Sequence, residues 1–232
     1  MTTLTTDLAK TYHEARIRIA DRARSLDAKQ ADTPVPACPG WKVHDVIAHL
    51  SGAAADFVDG NMDKAPSPEW TAAHVEAGTG RSLRQLLESW EGVAGQLESM
   101  IATAPDRSTF FVADVLCHEI DLCWALGWPI QRTGDDIEWL IVNFVRIVTR
   151  KVTAAGLPPL DFVSGSDSWV AGESGNGIHG IRVEVPSAFE LVRAMTGRRS
   201  LTQIRAWNWQ TDPDLYIPHL SAFTPRPDPL EE

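Results

Sequence analysis

Positive charge is scarce in this chain. Its 232 residues hold 21 Lys and Arg against 31 Asp and Glu, a formal net charge of −10, and no run of basic residues is longer than a pair such as Arg198-Arg199. A surface of that kind cannot neutralise a phosphate backbone or an anionic bilayer, so neither nucleic acid nor membrane is an expected partner. Cysteine is equally sparse. Cys38, Cys117 and Cys123 are odd in number and form no CxxC pair, which excludes a disulfide framework and favours reduced thiols. No apolar run approaches the roughly 18 residues of a membrane span, and the opening Met1-Thr-Thr-Leu-Thr-Thr-Asp7 lacks the basic start and apolar core of a secretion signal. The expectation is a cytoplasmic protein. Against these absences stand 44% hydrophobic residues and nine tryptophans, enough for a sizeable core with aromatic side chains to spare for a pocket or an interface.

Periodicity divides the chain into two characters. Leu4, Leu8, Tyr12, Ala15, Ile19, Ala23 and Leu26 recur at steps of three and four and predict a helix over 3–27. After the Pro-rich connector Thr33–Gly40, Val43, Val46, Ile47 and Leu50 predict a second helix from about Trp41. The segment 60–80, with Pro66, Pro68, Gly78 and Gly80, reads as a long irregular connection of the kind that covers a site. Leu83 to Ile101 predict a third helix ended by Pro105, Phe111 to Leu126 a fourth closed by Gly127, and Ile137 to Val152 a fifth closed by Gly156. Beyond Pro159 the runs become short and β-prone: Asp161–Ser164, Ser168–Ala171, Ile178–Val185 and Gln203–Trp209, with a helix opened by Ser187 and Glu190 and closed by Gly197. The fold class expected is therefore multidomain, α and α+β. An up-and-down four-helix bundle with an extra helix occupies 1–157 and a small α+β domain 158–232, whose Pro-rich tail (Pro218, Pro225, Pro227, Pro229) is extended and packed.

Two stretches carry the chemistry: Cys38-Pro-Gly-Trp-Lys-Val-His-Asp-Val-Ile-Ala-His49-Leu50 and Asp114-Val-Leu-Cys-His118-Glu-Ile-Asp121-Leu122. At about 100° per residue, Asp114, His118 and Asp121 form a polar stripe on a helix that is otherwise apolar. Burial of two acids and an imidazole needs compensation, either from a hydrogen-bonded network or partly solvated face, or from a metal. His49 sits beside its helix's apolar stripe with Asp45 one turn before it. That pattern suits a core or capping histidine, or a ligand whose second nitrogen is oriented by Asp45. Two imidazoles and one carboxylate suit Zn²⁺ or another divalent first-row cation, with positions left open.

These two motifs resemble those of the mycothiol-dependent maleylpyruvate isomerase family, a branch of the DinB-like metal-binding helical bundles, and the resemblance covers nearly the whole chain. Glu190-Leu-Val-Arg-Ala-Met-Thr-Gly-Arg-Arg199 and Phe223-Thr-Pro-Arg-Pro-Asp-Pro-Leu230 are similar to the smaller C-terminal domain of many members. The resemblance implies His49, Asp114 and His118 as metal ligands, with Asp121 or Asp45 as outer partners that orient them. It also implies mycothiol as the thiol cosubstrate and a small electrophilic molecule as substrate. The isomerase branch has glutamate where this chain has Asp114, one methylene shorter.

The implied reaction is addition of a metal-activated thiol to a cis alkene conjugated to a carbonyl, rotation, and departure of the thiol from the trans isomer; transfer to another electrophile is a variant. An acidic substrate would need a cationic partner, for which Arg198, Arg199 and Arg226 are candidates beside their commoner role in salt bridges. Cys38 is either near the site or an inert thiol. Two alternatives stay open: a non-catalytic metal-binding or ligand-sensing bundle, and a metal-dependent hydrolase of an amide or thiol conjugate. A catalytic site should have three protein ligands, whereas a structural one should be closed by a fourth, with His74 or Asp121 nearest. A homodimer is the assembly allowed for.

Overall fold

The computed structural model describes residues 7–173 and 180–232, so Leu4 and Ile178 of the expected helix and strand lie outside the described residues. The first helix, α1 (Leu8–Ala23), starts where the Asp7 carboxylate accepts from Lys10 N at 3.1 Å. A single turn, α2 (Ala28–Ala31), leads into the connector, and α3 (Val43–Asp59) ends at Gly60, whose φ of 80° gives the left-handed cap that glycine adopts without strain. Next come α4 (Pro68–Gly78), α5 (Leu83–Thr103) and α6 (Pro105–Leu126). Helix α6 begins well before the expected Phe111. Pro105 both stops α5 and occupies the first turn of the next helix, where its missing N–H costs nothing.

Helices α1, α3, α5 and α6 pack around a shared core, α1 against α5 and α6, and α3 against α5 and α6. The predicted stripes face inward: Tyr12, Ile19, Val46, Ile47, Leu50, Leu86, Trp90, Leu97, Val112 and Leu116 are all buried. Polar ties fix the registers between helices. Trp90 Nε1 donates to the Tyr12 hydroxyl at 2.8 Å, Ser51 Oγ donates to Leu86 O at 3.1 Å, and Arg18 spans both Glu119 oxygens at 2.7 Å. Burial pushes the Tyr12 phenol far above its ordinary value, so it stays protonated and can donate in turn.

The segment 60–80 is not an irregular connection. Ser67 Oγ accepts from Trp70 N, Pro68 opens the helix, and α4 packs along α3. Its Pro and Gly residues are helix boundaries rather than loop markers. The apolar period is missing because the buried positions are Trp70, His74 and Gly78, only one of them a large apolar side chain.

Contacts divide the chain into compact units Met1–Ile130 and Gln131–Glu232. This division falls upstream of the change in sequence character near 157. The intervening helix α7 (Asp135–Ala154) packs its apolar face on elements of the second unit, which follow it in sequence. Those elements are β1 (Leu160–Ser164), β2 (Asp167–Ala171), β3 (Ile181–Glu184), α8 (Ala188–Met195), α9 (Leu201–Arg205), β4 (Asn208–Trp209) and α10 (Ile217–Leu220). The sheet runs β2-β1-β3-β4, with β1 and β3 parallel and the outer pairs antiparallel. Of the strand expected over 203–209 only Asn208–Trp209 is strand, and residues 203–205 belong to α9, because Ser200 and Gln203 form a reciprocal cap at its start.

The proline-rich tail is anchored to this unit. Leu230 exchanges two hydrogen bonds with the Gln203 carboxamide, and the Glu232 carboxylate lies fully buried between Arg193 and Arg199. Arg199 also grips both oxygens of Glu190, at 2.6 and 2.8 Å. Two guanidinium groups and two carboxylates thus neutralise one another, three of them buried and Glu190 partly exposed. Removal of one partner from such a buried network costs about 3 kcal/mol or more. Glu232→Gln is therefore expected to lower the stability of the chain by about that amount in urea unfolding; an unchanged midpoint would show that the tail does not hold this unit together.

Candidate metal centre

His49 is buried on α3 because its flanking residues are core: Val46, Ile47, Ala48 and Leu50 are all nearly inaccessible, which fixes the helix phase and turns the imidazole inward. On α6, Asp114 and His118 are one turn apart, and Val112, Val115 and Leu116 fix their phase in the same way. The two helices bring the three residues together. Asp114 Oδ2 is 3.2 Å from His49 Nε2 and Oδ1 is 3.6 Å from His118 Nε2, and one donor atom of each residue lies within 4.8 Å of the others. Ligands about 2.1 Å from a common tetrahedral centre lie roughly 3.4 Å apart, so the donor set and its spacing fit a divalent cation.

The far side of each imidazole is also occupied. His118 Nδ1 is 3.0 Å from Asp121 Oδ2, and Asp121 is fully buried. His49 Nδ1 is 3.2 Å from His74 Nδ1, and His74 Nε2 is 2.9 Å from Asp56 Oδ2. Burial holds His74 below its ordinary pKa, opposed by its hydrogen bond to Asp56, so the neutral ring is favoured. Trp41 stands beside both candidate ligands, its ring centre 5.2 Å from His49 and 6.0 Å from His118. Trp70 meets His74 edge-on at 4.3 Å.

Not every residue singled out in the sequence joins this cluster. Asp45 accepts from Lys42 N at 2.9 Å and lies 3.6 Å from His44, so it caps the start of α3 while His74 takes the place expected for it behind His49. Cys38 is close by: its Sγ is 3.3 Å from Asp121 Oδ2 and 3.7 Å from His118 Nδ1, and Cys38, His118 and Asp121 form a second set of donors near enough to share a cation. Arg199 is engaged by Glu190 and Glu232, Arg198 donates to Thr196 O, and Arg226 donates to Asp228 O. Sequence reasoning misses the part played by His74 and Asp56 behind His49. A signal is present, since His49, Gly52 and Asp56 fall at i, i+3 and i+7 on one face of α3.

Residues 12–113 match the family model described as the mycothiol maleylpyruvate isomerase N-terminal domain. The match is to an N-terminal domain and spans less than half of the chain. Its fold is similar to the crystal structure of the mycothiol-dependent maleylpyruvate isomerase, with a TM-score of 0.58 and 17% identity over 82% of this chain and 88% of that one. A histidine-to-alanine mutant of that isomerase gives a TM-score of 0.57 at 16% identity over the same shares. At such identity the likeness speaks for the fold alone. No curated protein matches the chain in sequence. Among the described residues no helix is long and apolar enough to cross a membrane.

The capping role of Asp45 has a measurable consequence. Asp45→Ala is expected to cost about 1 kcal/mol in urea unfolding, the usual loss for a helix-start hydrogen bond, while the His49 ring resonances in NMR spectra stay unchanged. A large shift of those resonances would return Asp45 to the site.

Proposed function

We propose that this chain is a member of the mycothiol-dependent maleylpyruvate isomerase family and a divalent-metal-dependent enzyme that uses mycothiol, adding the thiol to a small electrophilic substrate and, in the reaction that family is named for, isomerising a cis alkene conjugated to a carbonyl. His49, Asp114 and His118 would hold the cation through two Nε2 atoms and a carboxylate. The observation that carries the reading is the placement of the two residues best suited to close the site. Asp121 sits on Nδ1 of His118 and His74 on Nδ1 of His49, so both occupy the far nitrogens. Three protein donors with no fourth beside them among the described residues are the arrangement of an open, catalytic centre.

A bound cation, Zn²⁺ by the donor set, would supply Lewis acidity that lets a thiol ionise near neutral pH. The chain's own residues do the rest. Asp121 and His74 hold the imidazoles in orientation, and Trp41 provides a flat apolar wall beside them. In the isomerisation, the sulfur bonds to one alkene carbon and the electron pair moves into the carbonyl. Rotation then occurs about the resulting single bond, and the pair returns as the sulfur leaves. The thiol is regenerated, so no oxidant or reductant is needed.

A second reading, a metal-sensing bundle, is favoured by one observation: Cys38, His118 and Asp121 also lie within reach of a shared cation. The two differ in where sulfur comes from. The purified chain is expected to hold one divalent metal, lost in His49→Ala and in His118→Ala, and metal retained by both variants would sink the site. With cobalt in place of the native metal, a sulfur-to-metal absorption band is expected only after mycothiol is added. Such a band before any thiol, abolished in Cys38→Ser, would instead mark the sensing arrangement; no band at any mycothiol concentration would exclude the thiol-dependent one.

A further inference from the structure

His74 and Asp56 lie outside the three candidate ligands, yet the structure builds a specific seat for them. Gly52 is in the middle of α3, where glycine costs about 1 kcal/mol relative to alanine and no positive φ calls for it. Its absent side chain is what matters. A Cβ at position 52 would meet Cδ2, Cγ and Cβ of His74 at 2.6, 2.7 and 2.9 Å. Gly78, at the other end of α4, makes the same allowance: a Cβ there would stand 2.5 Å from Ala48 Cβ. Two glycines therefore let α4 press close enough to α3 for the His74 ring to reach His49.

The hydrogen bonds have one consistent direction. An ionised Asp56 only accepts, so His74 Nε2 must carry the proton facing it at 2.9 Å. A neutral His74 then presents a lone pair at Nδ1. The 3.2 Å contact consequently requires His49 to donate from Nδ1, which leaves the lone pair of His49 on Nε2, facing Asp114 and His118. That is the tautomer a metal ligand needs, and it is selected from two residues away. On the other histidine, Asp121 selects the same tautomer through a direct contact.

We propose that His74, held by Asp56 and admitted by Gly52, is a positioning residue that fixes the ring angle and tautomer of His49 for cation binding. This rests on the reading that His49, Asp114 and His118 hold the cation, and the experiment separates the two. Zinc dissociation constants are measured by chelator competition on the full chain, with unfolding of the metal-free proteins followed in parallel. His49→Ala is expected to abolish binding. His74→Leu is expected to weaken it about ten- to hundred-fold, the usual loss for an outer partner of a ligating histidine. His74→Gln, whose carboxamide oxygen can accept from His49 Nδ1, should recover part of that loss. Asp56→Asn, nearly isosteric, should weaken binding and shift the His49 ring ¹⁵N resonances away from a pure Nδ1–H tautomer.

A merely structural role would lower unfolding midpoints without moving the tautomer signature, and that result would overturn the proposal. So would wild-type zinc affinity in His74→Leu while His49→Ala binds none; the site reading would then stand and the positioning role fall. Unchanged affinity in His49→Ala would remove both. If His74→Leu does not fold, Asp56→Asn carries the test through its affinity and its ¹⁵N shifts.

Discussion

A buried imidazole has two nitrogens, and both must be accounted for. When one faces a cation site, its proton is forced onto the other, which then needs an acceptor in a place water does not reach. His49 and His118 are 2% and 6% exposed, so the demand is met by protein at both. Much of the first unit follows from it. Asp121 must lie one turn beyond His118 and be buried, and an element outside the four-helix core must approach α3. That element is α4, and its approach requires Gly52 and Gly78 where larger residues would serve the helices better.

The parts of this arrangement legible in the sequence are those where the fold uses ordinary periodicity. Helices α3 and α6 announce themselves by apolar residues at three- and four-residue steps, and the polar stripe of Asp114, His118 and Asp121 stands out against that background. Helix α4 does not, because its inward face consists of Trp70, His74 and Gly78, chosen for a hydrogen bond and a close approach rather than for apolar area. The same lesson applies to α9, where a capping pair at Ser200 and Gln203 outweighs β-prone composition. It applies at the unit boundary too, where α7 has the character of the helices before it but packs on the elements after it. Composition reports what a segment is made of, whereas packing depends on which apolar face lies within reach.

The family match and the fold constrain the site unequally. The first motif, with His49, lies within the segment that matches the family, whereas that segment ends at Ala113, so Asp114 and His118 stand just beyond it. Their assembly with His49 therefore rests on the geometry of α3 and α6 themselves. That geometry is specific: Asp114 directs one oxygen to each of two Nε2 atoms, so a carboxylate one methylene shorter than glutamate still spans the gap between the helices.

Two clusters of charged side chains among the described residues make different demands. In the second unit, Arg193 and Arg199 face Glu190 and Glu232, so cations and carboxylates are equal in number and the cluster is complete as it stands. In the first unit, Asp114, Asp121 and Asp56 surround three histidines, and the tautomers set by Asp121 and Asp56 turn the Nε2 lone pairs of His118 and His49 toward the carboxylate of Asp114. Three acceptors converging within 4.8 Å repel one another unless positive charge lies between them. Added protons could satisfy the Nε2 atoms only by making the imidazoles cationic or by reversing the hydrogen bonds behind them. A divalent cation satisfies all three donors and leaves those bonds in place, which is the strongest physical support for reading the cluster as a metal centre.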